Sequence, residues 1–302
     1  MKPRFDVVLL TESRYLAPQE CTPYVLNVLK EDELVQSALE KLGLRTTRIN
    51  WADKNFDWTS TRAALFRTTW NYFNYFSEFT QWLNVVSGKT RLINAVELIQ
   101  WNMDKHYLRD LEAKGISIPP TIFIEPQERT TLKKLQARTG WKEFILKPAV
   151  AGGARHTYRL REDTLQEYEQ EFQTLLRSEA MLIQPFLNNV LTQGEYSFIV
   201  INGKYTHAVL KTAKQGDFRV QDDHGGTVQA YEATDSEKQF AENVAASCAS
   251  LPLYARVDVI NDNEGKPAVT ELEIIEPELW FRFYPEAATV LAEAVKDVLK
   301  KN

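Results

Sequence analysis

Cysteine is scarce in this chain: Cys21 and Cys248 are the two in 302 residues, far apart and in no C-x-x-C or metal-ligand spacing. That argues against a disulfide framework or a thiolate zinc site, and reduced thiols in a cytoplasmic protein are the simplest expectation. Long hydrophobic runs are lacking as well. The apolar stretch after Phe5 is too short for a signal peptide or a membrane span, so no membrane partner is expected. There is no basic excess: 36 Lys and Arg against 41 Asp and Glu leave a formal net charge of −5. No nucleic-acid partner is expected on that balance, and any phosphate site has to be a local cluster. No G-x-G-x-x-G follows the first apolar run, and no Walker A sequence, G-x-S-x-G or H-E-x-x-H occurs. Dinucleotide, P-loop and the common hydrolase readings lose their support. The four histidines are scattered, and His156 and His224 read as loop donors without catalytic duty.

What is there is an ordinary globular composition, 44% hydrophobic and 25% charged, with length enough for two or three packed units. The most informative stretch is 254–277, YARVDVINDNEGKPAVTELEIIEP. It reads as a β-hairpin with a polar turn at 261–266. Alternation along each strand puts Arg256 and Asp258 on one face and Glu271 with Glu273 on another. A four-residue loop at 263–266 would set Asp258 opposite Glu271 and gather three carboxylates on one face; a slip of one residue would separate them. Like charges across a sheet repel, so the cluster needs cations. Either Mg²⁺, which prefers oxygen ligands, or neighbouring Lys and Arg would serve. The turn is not an EF-hand, because Ile260 occupies the first ligand position.

Along the rest of the chain, short strands at 5–10, 44–49, 64–67 and 91–93 alternate with helices at 31–42 and 75–86, which predicts a small parallel sheet over about the first hundred residues. The loop Arg67-Thr-Thr-Trp-Asn-Tyr72 follows a strand at the edge where such sheets bind ligands. Arg67 could hold a carboxylate there, or the aromatics could simply pack down onto the sheet. A second unit begins near Trp101, with helices at 104–114 and 130–139. The strand 144–147 then delivers Lys147 into a loop with Gly152 and Gly153. Small residues let backbone N–H groups approach a phosphate, although Lys-Pro followed by Gly-Gly also makes a simple turn. Gln184-Pro185-Phe186, Glu195, an Asn202-Gly203 hairpin and Lys211 come next. A donor-rich loop at 214–226 contains Arg219. Helices are expected at 165–178, 235–250 and 287–300.

Singly these signals are weak, but in this order they resemble the ATP-grasp ligases over nearly the whole chain. Gly216-Asp-Phe-Arg-Val, His-Gly-Gly, Glu271-Leu-Glu-Ile-Ile-Glu-Pro, Arg-Thr-Thr-Trp-Asn-Tyr and Trp-Asn-Met-Asp-Lys look most similar to the D-cycloserine ligase-like branch. The resemblance implies a mixed α/β, or α+β, ATP-grasp fold with a Rossmann-like domain over 1–100, a central subdomain over 101–182 and a C-terminal subdomain over 183–302. It implies that Lys105 and Lys147 contact ATP phosphates with Gly152 and Gly153. Gln184 and the Pro185-Phe186 backbone would line the adenine, Glu195 the ribose, and Lys211 the adenine side or the phosphates. Arg219 and Arg256 would face the transferring phosphoryl group, and Asp258, Glu271 and Glu273 would bind two Mg²⁺ ions.

The activity implied is ADP-forming ligation of a small carboxylate substrate to an amine through an acyl phosphate, with 214–226 as the closing lid; a homodimer is compatible with it. Arg67 and Arg282 are candidates for substrate carboxylates. Two departures stand out: Glu273 takes the place of an Asn common in the family, and Ala151 that of a Ser. The rival expectation is a nucleotide-binding scaffold of the same fold without turnover.

Overall fold

The computed structural model describes residues 3–221 and 225–301. Three sheets organise them. The first contains β1 (Phe5–Thr11), β2 (Thr46–Asn50), β3 (Thr61–Thr68) and β4 (Arg91–Ile93), all parallel in the order β2-β1-β3-β4. Parallel strands need crossovers, supplied here by the helices Pro23–Lys41 and Phe76–Val86, which explains why β1 and β3 are buried almost throughout. The first helix starts earlier than its apolar periodicity. Thr22 accepts from the Val25 N–H as N-cap and Pro23 occupies the first turn, a start signal in polar residues that periodicity misses.

The second sheet, in the order β5-β8-β6-β7, is antiparallel: β5 (Ile122–Ile124), β6 (Glu143–Pro148), β7 (Tyr158–Arg161) and β8 (Met181–Pro185). β8 therefore runs across the expected boundary at 182. The third, β11-β10-β9-β12-β13, is also antiparallel and holds β9 (Glu195–Ile201), β10 (Lys204–Thr212), β11 (Thr227–Tyr231), β12 (Tyr254–Asn261) and β13 (Pro267–Glu273). Asn202 and Gly203 both take positive φ, 50° and 78°, as a tight hairpin between β9 and β10 requires.

The ends of the chain meet. The helix Glu286–Lys300 packs on the helix Pro23–Lys41, and Leu291, Val295 and Leu299 join Val7, Leu9 and Leu39 in one core. That same core takes in Ile199 and Val209, so the third sheet is welded to the first. No helix among the described residues is long and apolar enough to cross a membrane.

Candidate active site

The three sheets converge on a cavity of about 870 Å³. The hairpin β12–β13 forms one wall, and its register decides the chemistry. Asp258 pairs with Glu271 and Arg256 with Glu273, but not through the expected four-residue loop. Asn261 pairs with Pro267, leaving five residues in the turn, which alone would have set Asp258 against Thr270. A bulge at Thr270 takes up the extra residue and restores the acid pair. Thr270 Oγ1 donates to the Asp258 carbonyl at 3.2 Å. The outer edge of β13 is covered: Tyr107 Oη accepts from the Leu272 N–H, and Asn102 bonds both the Leu272 carbonyl and the Ile274 N–H.

Oxygens of Asp258, Glu271 and Glu273 all lie within 4.8 Å of one another. Glu273 thus points with its neighbours. Cations also meet this cluster. Lys105 reaches Glu271 at 3.0 Å, Lys211 reaches Asp258 at 3.4 Å, and Arg256 bonds Asp258 at 2.8 Å and pairs with Glu273. Both sequence readings of the hairpin, metal ligands and a neutralised face, are therefore represented. Burial acts to raise every one of these acids. For Asp258, Arg256 and Lys211 outweigh it and hold the pKa at about 2; the Glu271 pKa is also lowered, by Lys105 and Lys147. For Glu273, burial together with Glu271 and Asp258 outweighs Arg256, and its pKa rises. Three converging hard oxygens, one still short of positive charge, fit a divalent cation such as Mg²⁺.

Opposite the acids lie the small-residue loop and its lysines. Lys105 Nζ donates to the Ala151 carbonyl at 2.6 Å, and its backbone N–H to the Ala149 carbonyl, so Lys105 ties the loop to the acid wall. Lys147, on β6, makes no ion pair among the described residues; burial, with repulsion from Lys105, brings its pKa down to about 8. Gly153 takes φ 57°. At Gly152 a Cβ would come within 2.8 Å of the Phe73 ring, so the loop is small because an aromatic from the first domain lies against it. The missing Ala151 hydroxyl is not replaced by a side chain here: the Ala151 carbonyl is spent on Lys105.

A third wall is apolar. Phe186, Leu187, Val190, Val220 and Ile260 pack together, with Ile145 and Phe218 against them, and all seven line the cavity. Of the adenine-lining residues expected from sequence, Phe186 belongs to this slot, while Gln184 and Pro185 line the cavity beside it. The Phe186 backbone is engaged within the protein, its N–H donating to the Glu143 carbonyl and its carbonyl accepting from Asn263, with one lone pair of that carbonyl left over. What Phe186 offers is its ring, over which the Arg159 guanidinium sits at 3.7 Å. Gln184 lines the cavity while bonding Thr121. Glu195 and Lys211 also line it and are paired with each other across β9 and β10. Arg219 lines it too, with its guanidinium on Asp217 at 2.6 Å.

Two expected site residues fall elsewhere. Arg67 is 1% exposed and bonds Glu31 at 2.6 Å beneath the sheet edge, away from the cavity. Arg282 pairs with Glu278 and does not line the cavity. The residues that do face this end are Glu276, Glu278 and Trp280, which the acid-rich run after β13 signalled but did not assign. Their backbone is strapped down: Trp70 Nε1 donates to the Glu276 carbonyl at 2.7 Å, Glu31 accepts from the Leu279 N–H at 2.6 Å, and His207 Nε2 meets the Leu279 carbonyl at 2.7 Å. Trp280 takes φ 49°, uncommon for a bulky residue, and its ring lies beneath Arg256 (5.0 Å) and Lys211 (5.5 Å).

Within the loop 214–226, Gly216 and Gly225 take positive φ, and a Cβ on Gly226 would collide with the Val220 carbonyl. Residues 222–224 of that loop, His224 included, lie outside the described residues.

Comparison with known proteins agrees with this geometry. Residues 7–94 match the N-terminal domain of the D-cycloserine synthetase DcsG, and residues 114–278 match the ATP-grasp domain of prokaryotic glutathione synthetase. The cycloserine biosynthesis protein DcsG of Streptomyces lavendulae is 31% identical over 277 residues, covering 87% of this chain and 92% of that protein. A crystal structure of D-cycloserine synthetase DcsG superposes with a TM-score of 0.84 at 26% identity, over 97% of this chain and 99% of the other. The ATP complex of a D-alanine–D-alanine ligase from Bacillus anthracis shares the fold at a TM-score of 0.65 and 14% identity, over 98% of each chain. The chain belongs to the ATP-grasp ligases, near their D-cycloserine ligase branch.

Proposed function

We propose that this ligase joins a small, amino-acid-like carboxylate to an amine, forming ADP and phosphate by way of an acyl phosphate. The observation that carries it is the convergence of three carboxylates on one wall of the cavity with Lys105 and Lys147 beside them and an apolar slot in the same cavity. The slot around Phe186, Leu187, Val190 and Ile260 would take the adenine, Glu195 the ribose, and Lys147 with the Gly152–Gly153 backbone the phosphates. Asp258, Glu271 and Glu273 would hold Mg²⁺, as two ions in the reading favoured here, which would supply positive charge to the phosphate oxygens. Phosphoryl transfer asks for positioning and charge compensation more than for a protein nucleophile, and this cavity offers cations in quantity. Arg256 and Lys211 would face the γ-phosphoryl group as a substrate carboxylate attacks it, and Arg219 would come with the loop 214–226. That loop would close over an acyl phosphate that water would otherwise destroy.

The test is acceptor-dependent ADP formation in a screen of amino acids and small peptides with ATP and Mg²⁺. A scaffold protein without turnover would bind ATP and release no ADP with any acceptor.

Lys147 gives this reading a pH signature. With its pKa brought down to about 8, the free enzyme carries the phosphate-binding charge below that pH and loses it above. The KM for ATP should rise as pH climbs through about 8. Lys147→Arg stays charged and should flatten that rise; an identical pH profile in the variant would remove Lys147 from the phosphate site.

A further inference from the structure

One carboxylate of the cavity is left over. Glu12, Glu195, Asp258, Glu271, Glu273 and Glu278 line it and each meets an Arg or Lys. Glu276 also lines it and makes no ion pair among the described residues. Burial, followed by the charges of Glu273 and Glu271, pushes its pKa well up, and Arg256 offsets this weakly. What this position lacks is a positive charge.

Its setting is specific. The Glu276 backbone carbonyl accepts from Trp70 Nε1 at 2.7 Å, which ties this indole to the strap that carries the acid. Tyr15 meets the Trp70 ring edge-on at 5.3 Å, and Tyr24 lies 6.4 Å from it. Trp70 and Tyr24 both line the cavity. A carboxylate beside aromatic faces is a receptor for an organic cation, because the ring quadrupole and the acid attract the same charge. An ammonium arriving there would draw the acid into its charged form, whereas a phosphate would meet no positive charge.

We propose that Glu276, with Trp70 and Tyr24, forms the subsite for the ammonium group of the amine-bearing substrate. This rests on the ligase reading and deepens it: the substrate enters this end of the cavity as a cation, a primary ammonium rather than a neutral amide or a second carboxylate.

The experiment uses the full chain loaded with ADP and Mg²⁺. Alaninol, a cation at neutral pH, and 1,2-propanediol, its neutral analogue, are titrated in, followed by tryptophan fluorescence and calorimetry. Alaninol is expected to bind and propanediol not to. Glu276→Gln, which keeps the shape of the side chain, should weaken alaninol at least tenfold while ADP affinity stays within twofold. Alaninol binding equally well to the variant, or failing to bind a wild-type protein that binds ADP, overturns the subsite. Failure of the wild type to bind ADP overturns the ligase reading beneath it, a separate result.

Discussion

Glu271→Gln is expected to lower kcat for ATP turnover by roughly 10²- to 10³-fold, the scale seen when one preorganised electrostatic contact to a transition state is lost. It should also raise the Mg²⁺ concentration needed for half-maximal rate, with little change in melting temperature. Glu271 is the better of the two obvious positions for this test. Its side chain is 31% exposed, and its partner Lys105 keeps the Ala151 carbonyl when the charge is removed. Asp258 is 2% exposed and carries Arg256, Lys211 and Ser197. Asp258→Asn would take from Arg256 and Lys211 one of the two acids that each of them meets, so its lost activity would be mixed with lost stability. Glu271→Gln separates the two. ATP turnover unchanged in that variant would sink the metal assignment, whatever Asp258→Asn does.

The features legible in sequence were those written in short-range chemistry. Strand alternation placed Asp258 and Glu271 together, the Asn202-Gly203 pair marked its turn, and the loop at Gly152 and Gly153 announced itself by the size of its residues. The hairpin register is instructive, because the expected pairing was reached by a different route. A five-residue turn and a bulge at Thr270 give the result a four-residue turn would have given, and no local signal marks the bulge. β7 and β11 were missed because they are only four and five residues long, with no apolar alternation long enough to read. The apolar slot was half missed for a different reason. Leu187, Val190, Val220 and Ile260 are scattered over seventy-odd residues and meet only in three dimensions. Glu276 lay in plain view, but a carboxylate without a partner cannot be told from one with a partner until the partners are placed.

Arg67 shows the same limit from the other side, and here the expected outcome is loss of stability, not of substrate binding. In sequence, an Arg after a parallel strand, beside hydroxyls and aromatics, reads as a ligand group. In the structure its guanidinium is sealed between Glu31 at 2.6 Å, the Pro277 carbonyl at 3.4 Å and the Phe281 ring at 5.7 Å. Arg67→Ala would leave the Glu31 carboxylate, 3% exposed, without its cation. Breaking a buried pair from one side costs about 3–5 kcal/mol, and a chain of this size would lose on the order of 10 °C in Tm. Removing both charges, with Arg67→Met and Glu31→Gln together, should recover much of that loss, since the amide oxygen of the new side chain could still accept from the Leu279 N–H. The effect should also carry a pH dependence of known sign. Burial pushes Glu31 up to about 7 in the folded protein even with Arg67 present. A raised carboxylate costs stability as pH rises above its ordinary range, in full above the folded value, so the Arg67→Ala deficit should be smaller at pH 6 than at pH 8. Thermal unfolding at the two pH values, beside KM at 25 °C, decides the matter. An unchanged Tm with a KM raised tenfold would return Arg67 to the substrate site; the burial of its partner argues for the opposite pattern.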